Sequence, residues 1–150
     1  MDGKQSSVTG SIGLLILRLG AGGYLLTHGW GKLQLLLDGG FDRFHDPIGL
    51  GPEASLVLIT GAEFFCSLLV MAGLATRLAA VPVVIAMGVA ALVVHAADPW
   101  TMGGGSPSKE PALLYLTLFL TLIFTGPGWL SLDALIASRL ARRRAGAGAA

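Results

Sequence analysis

Gly61-Ala62-Glu63-Phe64-Phe65-Cys66 sets one carboxylate inside an otherwise apolar run from Leu56 to Leu74. A run of that length crosses a bilayer as a helix, which places Glu63 deep in hydrocarbon. A charge at that depth costs about 2.5–3.5 kcal/mol on insertion scales. Such a residue is retained where something pairs with it, protonates it or wets it. The fold and the function both turn on what the rest of the chain offers Glu63.

The 150 residues are 53% hydrophobic and 13% charged, with a mean hydropathy of +0.73. Soluble domains carry about 25% charged residues, so the composition belongs to the membrane class. The net charge of +1 gives no reason to expect nucleic-acid binding. The single cysteine, Cys66, excludes an intrachain disulfide and a CxxC redox pair. Any redox chemistry therefore needs a bound cofactor or a partner. At the N-terminus Lys4 supplies a weak basic region, but Arg18 interrupts the apolar stretch and no A-x-A-like cleavage site follows. The stretch reads as a retained first span, not a signal peptide.

Working outward, the sequence predicts an all-α fold: a four-helix transmembrane bundle with a short C-terminal amphipathic helix. Residues 1–10 are polar and expected to be disordered. Residues 11–136 form the membrane domain, with spans at about 11–37, 54–74, 78–97 and 111–125. Residues 137–150 form a basic, low-complexity tail. Asp38-Gly39-Gly40 through Gly51-Pro52-Glu53 and Asp98-Pro99-Trp100 through Pro107 are turn-rich loops. Ala75-Thr76-Arg77 makes a tight connection. Pro111 favours a helix start, and Gly126-Pro127-Gly128 kinks or ends the fourth span. Lys4, Arg77 and the C-terminal Arg139, Arg142, Arg143 and Arg144 fall on one side, which predicts cytoplasmic termini. Trp30 and Trp100 mark the outer interface and Trp129 the inner one.

Each span has a polar side expected to face inward. Arg18, His28 and Lys32 fall within an arc of about 80° at 100° per residue. Thr60, Glu63, Cys66 and Ser67 share a face, Arg77 and His95 share another, and Glu110, Thr117 and Thr121 form a stripe. At 1.5 Å per residue Glu63 lies roughly 12 Å below the outer boundary and Arg18 roughly 9 Å above the inner one. An Arg18–Glu63 pair near the midplane is therefore expected, with His28, Lys32, His95, Glu110 and Tyr115 gathered above it in a polar vestibule. These seven residues are the candidate proton- or ligand-binding cluster; no catalytic residue is assigned.

Each has a plainer reading. Arg18 and Glu63 can pair only to fix helix register. His28 and Lys32 can snorkel to the outer interface, and His95 can be a helix cap. Thr117 and Thr121 can bond their own helix backbone. Asp42, His45 and Asp46 lack a fixed ligand spacing, so no metal is assigned. Gly20, Gly22 and Gly23 lack the dinucleotide fingerprint and read as positions of close helix approach.

Taken together, Leu17-Arg18-Leu19, His28-Gly29-Trp30-Gly31-Lys32-Leu33, Gly61-Ala62-Glu63-Phe64, Gly73-Leu74-Ala75-Thr76-Arg77-Leu78, His95, Glu110-Pro111-Ala112-Leu113, Gly126-Pro127-Gly128 and Ser131-Leu132-Asp133 resemble the DoxX family of small four-span membrane proteins. The chain departs from that pattern at Phe65-Cys66-Ser67, where small glycines are expected after the glutamate; the bulk is expected to narrow the space beside Glu63. The resemblance implies a bacterial-type inner (plasma) membrane protein linked to redox metabolism, whose relatives include a subunit of a thiosulfate:quinone oxidoreductase.

Three functions follow as expectations. The first is a redox-associated subunit that binds a quinone or relays protons beside it, with electrons arriving from a partner because the chain has no haem pair, Fe–S motif or flavin motif. The second is a structural anchor for a soluble redox enzyme, cued by the arginine-rich tail, which also suits membrane lipids. The third is a small-solute carrier working as an oligomer, weakened by the absence of an inverted repeat.

Overall fold

The computed structural model describes residues 3–147 apart from Gly104, and these are helical or in loops. Helix α1 covers Gly3–Leu37, α2 Pro52–Ala72 and α3 Thr76–Val94, α4 Glu110–Thr125 and α5 Leu132–Ala147. The first three are long and apolar enough to cross a membrane. Helix α4 has 16 residues, about 24 Å at 1.5 Å each, short of the ~30 Å hydrocarbon core. Residues 3–10 and 137–147, expected as disordered head and low-complexity tail, are helical; residues 1–2 and 148–150 lie outside the described residues.

The breaks between helices have local causes. Gly73 at φ +70° ends α2: its N–H bonds Val70 O and the N–H of Leu74 reaches back to Leu69 O, a left-handed C-terminal cap that glycine adopts without a Cβ penalty. Ala75 follows at φ +47°, and Thr76 already belongs to α3. The connection expected at 75–77 is thus a turn at 73–75. Helix α4 opens with Pro111 in its first turn and stops at Gly126, φ +73°, as the Gly-Pro-Gly run predicts.

The core is assembled from Ala21 and Leu25 of α1, Val70 of α2, Ala79, Ala80, Val83 and Met87 of α3, and Phe119 and Leu122 of α4. Small alanines on α3 let it lie close to α4, its principal neighbour. Of the three glycines singled out on α1, Gly22 alone sits at a close approach: a Cβ there would lie 2.6 Å from Met71 Cγ, whereas Gly20 and Gly23 face open space.

The polar sides do not all face inward. Thr60, Glu63 and Ser67 are buried, but Thr117 and Thr121 are exposed on α4. Their hydroxyls bond the carbonyls of Leu113 and Thr117, each at 2.8 Å. A threonine that returns its proton to the preceding turn has no unmet group to shield from lipid, so this stripe can face outward. Ser11 of α1, the α2–α3 turn and the segment leading into α5 meet at one end of the bundle. Trp129 N donates to Ser11 Oγ at 3.2 Å, and Asp133 accepts from the N–H groups of Ala75 and Thr76 at 2.7 and 3.1 Å. The 38–51 and 95–109 loops occupy the opposite end.

Candidate functional site

Two helical irregularities stand where the chain meets its polar residues. Gly61–Cys66 of α2 and Ala90–Val94 of α3 are π-helical, a local widening that recurs at functional sites. The first carries Glu63, 5% exposed. Helix α1 meets that turn at Gly29, where an added Cβ would stand 2.7 Å from Glu63 C and Phe64 N and 2.8 Å from Glu63 O. Backbone on backbone cannot give way. We expect Gly29→Ala to push α1 off α2 and lower the thermal stability of the detergent-solubilised protein by about 2 kcal/mol, within the range for overpacking; an unchanged melting temperature would show that the helices separate freely.

One turn beyond Gly29, Lys32 Nζ donates to Glu63 Oε2 at 2.5 Å. The expected Arg18–Glu63 pair is not formed. Arg18 is fully buried nearer the other end, where its Nη2 donates to Leu130 O. Helix approach at Gly29 selects Lys32 from the three basic residues on that arc of α1.

The ion pair faces a cavity of about 580 Å³. Its walls are mostly apolar: Leu25 from α1, Leu58, Ile59 and Ala62 from α2, Ile85, Met87 and Val89 from α3, and Ala112 from α4. His28, His95 and Tyr115 join Lys32 and Glu63 on the wall. The His28 and Tyr115 rings meet edge to face, centroids 6.2 Å apart. Five of the seven candidates are thus brought together. Arg18 is not among them, and neither is Glu110, whose carboxylate accepts from Met102 N at 2.7 Å and ties down the 95–109 loop. Phe65 is 53% exposed and does not line the cavity, so the bulk after Glu63 faces outward and leaves the space beside the carboxylate open.

Two contributors lay outside the sequence reading. His95 Nδ1 is 2.7 Å from Asp98 Oδ2. A carboxylate only accepts, so in this contact Nδ1 is the donor and Nε2 is the ring nitrogen left for another partner. His45, weighed only as a metal ligand, is one of four residues, with Phe44, Pro47 and Ile48, that roof the cavity. No group of three His, Cys, Asp or Glu suited to a metal occurs among the described residues.

Asp46 fastens the roof. Its carboxylate accepts from Ser55 Oγ at 2.7 Å, Gly51 N at 2.8 Å and Leu50 N at 3.1 Å. The Ser55 hydroxyl, followed by the backbone N–H groups, holds the Asp46 carboxyl below its ordinary value. A depressed folded-state pKa stabilises the fold fully above the unfolded carboxylate value, and that contribution is lost as pH falls through the depressed one. We expect Asp46→Asn to lower stability on the neutral side, where that contribution is fully present, and to flatten the acid side, so that mutant and wild type converge as pH falls through the depressed value. Melting curves from pH 7 downward check this; parallel curves for mutant and wild type would refute it.

No curated protein and no solved structure matches the chain significantly. The family model for DoxX matches residues 13–96, more than half of the 150 residues, a segment that contains Arg18, His28, Lys32, Glu63 and His95 and stops before Glu110 and Tyr115. With three helices able to cross a membrane and a fourth packed along them, this chain is an integral, multi-pass membrane protein of the DoxX family.

Proposed function

We propose that the protein is a redox-associated subunit of a bacterial-type inner membrane, with both termini cytoplasmic, that holds a quinone in the cavity beside Lys32 and Glu63. The observation that carries this reading is the wall chemistry. Small-molecule pockets of roughly 300–1,000 Å³ are apolar with a few placed polar groups, and this cavity has that volume and that lining. A quinone needs apolar walls for its ring and donors for its carbonyl oxygens. The Lys32 ammonium is such a donor, and the Glu63 carboxylate holds it in place. His28 and Tyr115 supply a ring edge and a phenol on the same wall. A bound quinone would bring two-electron, two-proton chemistry, with the electrons delivered by a partner enzyme. His95, oriented by Asp98 at the loop end of α3, is the residue placed to exchange protons between the cavity and the water outside it.

The test is mass spectrometry of the tagged protein purified in mild detergent, reading bound isoprenoid quinones and co-purifying proteins together. Wild type should retain quinone and Glu63→Gln should lose it. Quinone absent from wild type, or equally retained by the mutant, would overturn the reading.

One observation favours a second role as an anchor. Helix α5 leaves Leu135, Ile136 and Leu140 exposed beside exposed Arg139, Arg142, Arg143 and Arg144, with no acidic residue after Asp133. Such a surface suits anionic lipid or an acidic soluble partner. Deletion of residues after Leu135 should then release a co-purifying enzyme, and an unchanged complex would count against it.

A further inference from the structure

The cavity is covered at one end and open at the side. Phe44, His45, Pro47 and Ile48 of the 38–51 loop roof it toward the loop end of the bundle, and that roof is tied to α2 by Asp46 and Ser55. The side is built differently. Residues Pro52–Thr60 of α2 pack on α1 and on the Phe41–Arg43 turn, with no comparable packing on α3. Helix α3 packs on α2 chiefly lower down, through the π turn Gly61–Cys66 and through Ser67–Ala72. The loop-proximal parts of the two helices therefore stand apart, and the cavity lies between them.

The residues flanking this gap belong both to the cavity wall and to the outer surface. Leu58 of α2 and Ile85 of α3 line the cavity, yet they are 57% and 62% exposed. Ile85 is nine residues into a 19-residue helix, so it stands at the middle of the hydrocarbon layer, about 14 Å from the start of α3 at 1.5 Å per residue. Behind the gap, Leu25, Ala62 and Met87 also line the cavity but are 1%, 3% and 4% exposed. Helix α3 is irregular on this side: Pro82, which withdraws a backbone N–H from the helical ladder, and the π turn Ala90–Val94 both contribute to the wall.

We propose that the gap between α2 and α3 is a lateral portal, and that the cavity takes its ligand from the bilayer as an amphiphile with a small polar head and a long apolar chain. The head seats against Lys32 and Glu63, and the chain leaves through the portal between Leu58 and Ile85. At mid-bilayer depth the molecules available to an apolar slot are hydrocarbon chains, and an ion pair 2.5 Å long at the end of an apolar cavity distinguishes a headed chain from a bare one. This rests on the quinone reading for the identity of the head but not for the route.

The experiment uses the full-length protein in lipid nanodiscs and two photolabels that share one alkyl chain with a diazirine at the carbon next to the head. One carries a benzoquinone head and the other a glycerol head, and adducts are mapped by peptide mass spectrometry. Adducts on Leu25, Ala62 or Met87, which are sealed from bulk lipid, report a chain inside the cavity. Ile85→Trp should reduce those adducts about ten-fold by filling the portal, a steric discrimination of the kind that sets specificity. Ile85→Ala should preserve them, and so should Leu78→Trp, a change at a position 75% exposed and away from the cavity. Because Leu78→Trp tests the tolerance of α3 for a tryptophan, a folding defect in Ile85→Trp is separable from a blocked portal. Labelling by both probes, or by the quinone probe alone, supports the portal. Labelling by the glycerol probe alone keeps the portal and removes the quinone. No adducts at the three buried positions, or adducts indifferent to Ile85→Trp, would overturn the portal.

Discussion

Lys32→Met should destabilise the protein by about 3–5 kcal/mol, the range for breaking a buried ion pair from one side, and by clearly more than Glu63→Gln. The asymmetry follows from burial. The Glu63 side chain is 7% exposed and that of Lys32 is 26% exposed. Removing the lysine leaves a carboxylate at bilayer depth with no counter-charge. Removing the carboxylate leaves a lysine near the end of α1, whose stem can carry the ammonium out toward water. The double substitution Lys32→Met with Glu63→Leu should recover most of the loss, because an apolar pair of similar volume is often as stable as the buried ion pair it replaces. Quinone retention should not recover with it. Trp30 supplies a local probe, since its ring lies 6.0 Å from that of Phe64, the neighbour of Glu63. Thermal melts of the four proteins in one detergent at one scan rate, followed by tryptophan fluorescence, decide the matter. If Lys32→Met melts with Glu63→Gln, or the double variant is no better than the worse single, the pair is not what stabilises this region.

The helices were legible because hydrophobic length and Gly/Pro punctuation are local signals. Gly126-Pro127-Gly128 stops α4, and Pro111 stands in its first turn. Hydrogen bonds from Trp129 to Ser11 and from Ala75 to Asp133 join the segment after α4 to the early part of α1 and to the α2–α3 turn. The self-satisfied threonines were legible too, but not the face they turn to lipid. What the sequence left open was long-range pairing. Arg18, His28 and Lys32 share an arc of α1, and nothing in that arc selects a partner for Glu63; the selection is made at Gly29, where two backbones touch. A lysine near a helix end reads equally as a snorkelling residue and as a member of the inward cluster, and the arc alone did not decide between them for Lys32. The π turns were also hidden, because a shift of hydrogen-bond register leaves no repeat in the residue pattern. His45 and Asp98 joined the site from loops, whose path no periodicity encodes.

Gly73→Ala should be about as damaging as Lys32→Met, and at the opposite end of the bundle. Gly73 sits at φ +70°, where an alanine carries a penalty of roughly 1–2 kcal/mol from its Cβ. The larger effect is steric. A Cβ at Gly73 would overlap Arg18 Nη1 and lie 2.6 Å from Ser131 Cβ. Arg18 is fully buried, with Nη2 on Leu130 O and with Nε and Nη1 unpartnered, so it ties the 128–133 segment to the bundle through that one contact. Displacing it frees a buried carbonyl and relocates a charge, for a total of about 3–5 kcal/mol. The segment it releases also carries Asp133, whose N–H bonds Gly73 O at 2.9 Å and whose carboxylate caps Ala75 and Thr76. Protease sensitivity between Gly126 and Ser131 should therefore rise together with the drop in melting temperature. The cause is separable by a double-mutant cycle with Arg18→Ala. If the clash with the guanidinium dominates, the cost of Gly73→Ala in the Arg18→Ala background should fall to the backbone penalty of about 1–2 kcal/mol and the contact with Ser131 Cβ. An equal cost in both backgrounds would assign the effect to the left-handed turn and the Ser131 contact and leave Arg18 without the clamping role its burial and its bond to Leu130 describe.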